Sequence, residues 1–351
     1  MRGEFRMKTR ITELFGIEHP IILSGMSFIS VPSLAAAVSA AGGLGILATG
    51  PLTPEQTRKA IKEIRQATDK PFGGNVALAF PGAVENAKVL LQEKVAVINF
   101  SLGKGDWLVR EAHKYGGKVA ATVVNARHAK RAQDYGCDAV ISTGHEAAAH
   151  GGDVTSLVLI PSLADAVEVP VIAAGGFADG RGLAAALALG ADAIAMGSRF
   201  ATVKESPVHK NSKDLTIEKD VTDTLYSDRF DGMASRMMDS PGSRKALQKG
   251  FSFTSAFLNS FEIARELNMP CADLLKQVVS TGYKNARQLA HFAIGFKGYK
   301  LAIQDGNIDE GFLPIGQATG LIHDNPPVAG LISRIMKEAE QARAKLNAAY
   351  A

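Results

Sequence analysis

Val169-Pro170-Val171-Ile172-Ala173-Ala174-Gly175-Gly176-Phe177-Ala178-Asp179-Gly180 is a short apolar run that ends in two adjacent glycines. Ala193-Ile194-Ala195-Met196-Gly197-Ser198-Arg199-Phe200 repeats the form a few residues later. Each run has the length and composition of a buried strand, and the first leads into helical spacing at 182–189. The same alternation extends toward the N-terminus. Apolar runs at 20–23, 44–47, 72–78, 95–100, 118–124 and 139–141 complete a set of eight strands. Helical spacing fills 33–41, 53–67, 83–93, 107–115, 126–135 and 157–167, and Thr53-Pro54 offers a cap followed by proline in the first turn.

Eight strand–helix units in about 200 residues predict a (β/α)8 TIM barrel, an α/β fold. An open, doubly wound sheet would carry G-x-G-x-x-G after its first strand. Ser24-Gly25-Met26-Ser27-Phe28 stands there instead, and the glycines cluster after strands seven and eight. Those are the places where barrels hold phosphate, because glycine lets backbone N–H groups approach its oxygens. Ser198 adds a hydroxyl at the second turn.

After Phe200 the rhythm changes. Residues 201–250 are polar, and 251–305 read as helices with apolar positions such as Phe257, Phe261, Ile263, Leu267 and Leu274. The expected organisation is a barrel over 8–200 and 316–351, with a smaller, mostly helical lid or substrate subdomain over 201–315 inserted after strand eight. The amphipathic segment 328–348 is expected to close the barrel.

Composition sets the outer limits. With 351 residues, 46% hydrophobic and 21% charged, the chain can bury a large core and is not disordered. A net charge of +4 is too small and too scattered for a nucleic-acid footprint. No apolar run is long enough for a bilayer, and the first residues lack the apolar core of a secretory signal. Two cysteines, Cys137 and Cys271, are too few for a disulfide framework or a thiolate metal site. The expectation is a cytoplasmic protein with no nucleic-acid or membrane partner.

Several segments carry a resemblance. Thr9-Arg10-Ile11-Thr12-Glu13-Leu14-Phe15-Gly16-Ile17, His19-Pro20-Ile21, Ala41-Gly42-Gly43-Leu44-Gly45, Lys70-Pro71-Phe72-Gly73-Gly74-Asn75 and Ala174 to Gly180 occur in this order. Together they resemble the nitronate monooxygenase (2-nitropropane dioxygenase) family over about residues 8–335. That family also includes FMN-dependent NADH:quinone reductases and enoyl-acyl carrier protein reductases. The resemblance implies FMN held without a covalent bond at the barrel's C-terminal mouth, and no metal. It implies Gly175, Gly176, Gly197 and Ser198 at the FMN phosphate. Gly25, Met26 and Asn75 would lie beside the flavin ring, and Gln317, in Gly316-Gln317-Ala318-Thr319-Gly320, near its edge. The family's catalytic histidine corresponds to His150 in Gly144-His145-Glu146-Ala147-Ala148-Ala149-His150-Gly151. Ala149 stands where relatives have glycine, Ser24 where many have a second glycine, and Thr122 and Thr143 where some have a lysine and an acidic residue.

The implied activity is oxidation of alkyl nitronates or nitroalkanes with dioxygen, His150 serving as the base for a neutral nitroalkane. The alternative is NAD(P)H-dependent reduction of a quinone or an enoyl thioester on the same FMN barrel. The implied partners are a small-molecule substrate, dioxygen, NAD(P)H in the alternative reading, and a second copy in a homodimer. His145 is the rival histidine, five residues earlier. His113 and His128 fall on outer helices, Asp179 reads as a helix cap, and Cys137 as a structural residue.

Overall fold

The computed structural model describes residues 7–148, 150–249 and 282–350. The strands β1 (Ile21–Leu23), β2 (Gly45–Ala48), β3 (Phe72–Ala77), β4 (Val97–Ser101), β5 (Lys118–Val123), β6 (Ala139–Thr143), β7 (Val171–Ala174) and β8 (Ala193–Met196) all lie at the expected places. They pair in parallel in the order β1-β8-β7-β6-β5-β4-β3-β2. The cylinder closes where Leu23 N–H donates to Leu44 O (2.9 Å) and Leu44 N–H to Ile21 O (3.0 Å). The fold is the TIM barrel that the alternation predicts.

Strand periodicity separates two cores. Ile22, Ile46, Val97, Ala120, Ile141, Ile172, Ala174 and Ala195 pack together, while their strand neighbours Ile21, Leu23, Leu47, Ile98, Ala121, Val140 and Ala173 belong to the larger cluster. Alternate residues therefore fill the barrel and meet its helical coat. The helices are α1 (Arg10–Phe15), α2 (Pro32–Ala40), α3 (Pro54–Ala67), α4 (Ala83–Gln92), α5 (Asp106–His113), α6 (Ala126–Asp134), α7 (Ser156–Ala164) and α8 (Gly180–Ala188). Thr53 accepts from Gln56 N–H (3.2 Å) while Gln56 Oε1 accepts from Thr53 N–H (2.8 Å), which starts α3. Asp179 caps α8 by accepting from Gly182 N–H at 3.0 Å, the role expected of it.

Helix α1 was not expected. Its Ile11 and Phe15 join the interior cluster. Arg10 holds it in place by a two-point bond to Asp192 (2.9 and 2.7 Å), just before β8.

Beyond β8 come α9 (Ser198–Ala201), α10 (Lys210–Glu218), the strands β9 (Thr224–Ser227) and β10 (Ser235–Met238), α11 (Pro241–Lys249), α12 (Gly282–Ile303), a 3-10 turn (Gln317–Leu321) and α13 (Val328–Ala349). The antiparallel hairpin β9–β10 was not among the elements expected there. The expected helical positions Phe257, Phe261, Ile263, Leu267 and Leu274, and Cys271 as well, lie outside the described residues. Helix α13 packs on the barrel as expected, and Glu338 accepts from Gly180 N–H at 2.9 Å. Among the described residues no helix is long and apolar enough to cross a membrane.

One ion pair ties the β8 end to the C-terminal helix. Arg199 is 1% exposed and donates to Asp324 Oδ1 (2.9 Å) and to Asp324 O (2.8 Å). Asp324 also takes Arg334 of α13 at 2.6 Å, and that hydrogen bond, assisted by Arg199, holds its carboxyl below the usual range. Asp324→Ala would strand a buried guanidinium and is expected to cost roughly 2–3 kcal/mol, at the lower end for a charged group because water reaches Asp324. A lowered carboxyl pKa contributes stability above the unfolded value and loses it on acidification. The difference in urea midpoint between variant and wild type should therefore be largest near neutrality and shrink below about pH 4.

Candidate active site

A cavity of about 670 Å³ opens at the C-terminal ends of the barrel strands. One corner is built by the glycine turns. Gly175 and Gly176 have φ of 102° and 83°, values that a side chain strains to adopt, so only this pair continues β7 into its loop cheaply. A Cβ on Gly175 would come within 3.1 Å of Gly144 O and 3.2 Å of Ala147 N, because the turn nests under the β6–α7 loop. At the neighbouring turn, Ser198 Oγ accepts from Gly316 N–H at 2.9 Å, which leaves its own hydrogen free to donate. Ser198 opens α9, so its N–H has no acceptor within that helix.

Glu146 closes the corner from the third side. Its backbone oxygen accepts from Gln317 N–H at 2.9 Å. Its carboxylate takes Ser156 N–H at 3.0 and 2.9 Å and Ser156 Oγ at 2.9 Å, and so sits at the start of α7, where a negative charge is favoured. A phosphate fits the glycine side of this corner: the turns carry no side chains, and one hydroxyl hydrogen is available.

Another stretch of the lining is polar in a different way. A Cβ on Gly25 would lie 2.4 Å from Asn75 Cβ, so the end of β1 can touch the end of β3 only as glycine. Asn75 Nδ2 donates to Asn99 Oδ1 at 2.6 Å, and Asn99 Nδ2 donates to Thr122 Oγ1 at 3.0 Å and Ala120 O at 3.1 Å. This rail across β3, β4 and β5 fixes the Asn75 amide and leaves its Oδ1 as the acceptor on the cavity wall.

His150 stands in the loop after β6 and is one quarter exposed (27%), with Nε2 2.8 Å from Asp231 Oδ2. The hairpin holds the loop. Arg236 of β10 donates to His145 O (3.0 and 3.2 Å), and Tyr226 of β9 donates to Gly151 O (3.1 Å). Over the mouth, α12 contributes rings that reach the barrel loops: Phe296 lies 5.6 Å from Phe28, and Phe292 lies 4.5 Å from Phe80. Phe292 and Phe296 both line the cavity.

The sequence model of the family described as nitronate monooxygenase matches residues 8–89 and 83–338. The chain belongs to the nitronate monooxygenase family. It is 35% identical to the (3aS,4S,5R,7aS)-5-hydroxy-7a-methyl-1-oxo-octahydro-1H-indene-4-carboxyl-CoA dehydrogenase of Rhodococcus jostii (strain RHA1), over 95% of this chain and 96% of that protein. It is 32% identical to a nitronate monooxygenase of Paraburkholderia phytofirmans, over 66% of this chain and 76% of that protein. Among solved structures, FabK from Thermotoga maritima superposes with a TM-score of 0.82 at 37% identity, covering 97% of this chain and 99% of that one. Like these relatives, this member of the nitronate monooxygenase family is an oxidoreductase.

The structure brings seven of the eight cofactor candidates into the lining of one cavity: Gly25, Met26, Asn75, Gly175, Gly176, Gly197 and Ser198. Gln317 is not a wall residue, although Gly316 and Ala318 on either side of it are. His150 lines the same cavity. His145 does not: its Nδ1 faces Gly152 O at 3.0 Å and its ring meets Tyr226 edge-on. His113 is paired with Asp138 at 2.9 Å on the barrel's outer side, and Cys137 is buried, its thiol pushed up to about 12 chiefly by that burial.

Sequence reading alone missed Asn99, Asp231 and Tyr299. Asn99 did give a signal, an amide in the middle of the apolar run Val97-Ile98-Asn99-Phe100. Asp231-Gly232 reads as an ordinary turn, and nothing local ties it to His150.

Proposed function

We propose that the chain is an FMN-dependent oxidoreductase acting on the carbons next to the carbonyl of an acyl thioester, with His150 moving the proton at the α carbon. The observation that carries this reading is the reach of the cavity. Besides the glycine corner and His150, its lining takes in Lys104 and Arg131. No ion pair among the described residues uses Lys104 or Arg131, so both charges are available to an anionic carrier. The two carboxyl-CoA dehydrogenases, aligned over 95% of this chain, support a thioester more than the nitronate enzymes, which align over about two thirds.

Gly175, Gly176, Gly197 and Ser198 would hold the FMN phosphate, and Asn75 Oδ1 would accept from an N–H of the ring. Bound FMN would supply the two-electron exchange that side chains cannot perform. The chain's own residues do the rest. His150 exchanges the α proton, the hairpin fixes its loop, and the phenylalanines of α12 keep water from the mouth.

A second reading, oxidation of nitronates with dioxygen, is supported by the family match and by the Paraburkholderia relative. A neutral nitroalkane would need the same base. Anaerobic mixing separates the two. On the thioester reading, NAD(P)H under argon bleaches the yellow protein and an enoyl-CoA restores its colour. Absorbance unchanged by NAD(P)H or acyl-CoA, with a nitronate consuming dioxygen, would overturn it in favour of the second.

A further inference from the structure

Asp231 is 2% exposed, and its carboxylate is surrounded by donors. His150 Nε2 lies 2.8 Å from Oδ2, the Tyr299 hydroxyl donates to the same oxygen at 2.7 Å, and Met233 N–H donates to Oδ1 at 3.1 Å. An ionised carboxylate only accepts, so each partner must bring a hydrogen. Tyr299 keeps its own: burial, and then the Asp231 charge, push its phenol well above the usual range. The imidazole nitrogen that faces Asp231 must therefore be the protonated one. In the neutral ring this leaves the lone pair on Nδ1, which has no partner among the described residues.

The approach of α12 makes the arrangement. A Cβ on Gly295 would lie 2.6 Å from Asp231 Cβ, so the helix can pass this close only without a side chain there. Tyr299, four residues and about one turn further along, then comes over the carboxylate, braced edge-on by Phe312 at 5.3 Å.

We infer that Asp231 is the positioning residue for His150. It holds the ring in its Nε2–H tautomer, so that Nδ1 is the atom that takes and returns the substrate proton, and Tyr299 locks the carboxylate in place. The inference rests on the role proposed for His150, and it adds both the atom and the residues behind it. A carboxylate serving only to anchor the loop would give a different result when it is replaced.

The test uses holoprotein carrying 15N-labelled histidine rings, at a pH above the ordinary imidazole range, with the His150 signals assigned by their loss in His150→Gln. Wild type should show Nε2 protonated and Nδ1 bare. An amide can accept or donate, so Asp231→Asn should mix the two tautomers and lower kcat by roughly 10²–10⁴-fold with little change in KM or FMN content. Asp231→Glu should recover part of the loss, and Tyr299→Phe should show a smaller one, on the order of tenfold. Nδ1 protonated in wild type would overturn the inference. So would Asp231→Asn turning over at the wild-type rate while His150→Gln is inactive. If His150→Gln itself keeps full activity, the role proposed for His150 fails, and the wild-type ring spectrum still decides the tautomer.

Discussion

His150→Ala is expected to retain its flavin and lose roughly 10²–10⁴-fold in turnover of any substrate that must give up a carbon-bound proton. At 1.36 kcal/mol per decade, that is about 3–5 kcal/mol of transition-state stabilisation. The fold should tolerate the change. The residue is partly exposed, and Asp231 keeps its bonds from Tyr299 and Met233. The informative comparison is between a neutral nitroalkane and its preformed nitronate, used as probe substrates. The first needs a base and the second does not, so the variant should lose far more activity on the first. Equal losses on both would mean that the imidazole stabilises charge or shapes the pocket instead of moving a proton.

Gly176→Val is expected to release most of the flavin. At φ 83° a β-branched residue occupies a conformation that costs on the order of 1–2 kcal/mol, even though its Cβ finds tolerable space 3.5 Å from Glu146 Cβ. The larger effect is local. The methyl groups would crowd the corner between the β7 and β8 turns, where backbone N–H groups need an unobstructed approach to phosphate. Flavin released by heating, measured per mole of protein, should fall at least tenfold while the thermal midpoint drops by only a few degrees. A variant that keeps full stoichiometry would place the phosphate elsewhere.

The barrel was legible because its signals are local. Each strand is a brief apolar run ended by glycine, proline or a polar residue, and each helix carries its own apolar spacing. The structure shifts their boundaries by at most three residues. Helix α1 escaped because six residues make fewer than two turns, too few for a period to show. Its mark was the Thr9–Thr12 capping box, followed by Gly16. The β9–β10 hairpin escaped because its two four-residue strands are separated by seven residues, without the two-residue turn that usually betrays a hairpin.

The site was legible in part for the same reason. Glycine turns and a histidine after β6 can be recognised where they stand. The residues that make the histidine chemically specific lie 81 and 149 positions away, and only the fold brings them together. Asp231 is followed by Gly232 with φ 85°, a pair that any loop could carry. Tyr299 reads as one more aromatic on an amphipathic helix. Arg199 gives no sequence sign that it is buried, since only the tertiary position of Asp324 allows a guanidinium there.

The central claim is that the two glycine turns grip a flavin phosphate and leave the ring facing His150. A crystal structure of the purified yellow protein tests it most directly. The account predicts FMN density with the phosphate between Gly175–Gly176 and Gly197–Ser198, and the isoalloxazine beside Asn75 within reach of His150. Density for the phosphate at any other part of the rim, or a ring turned away from His150, would contradict it.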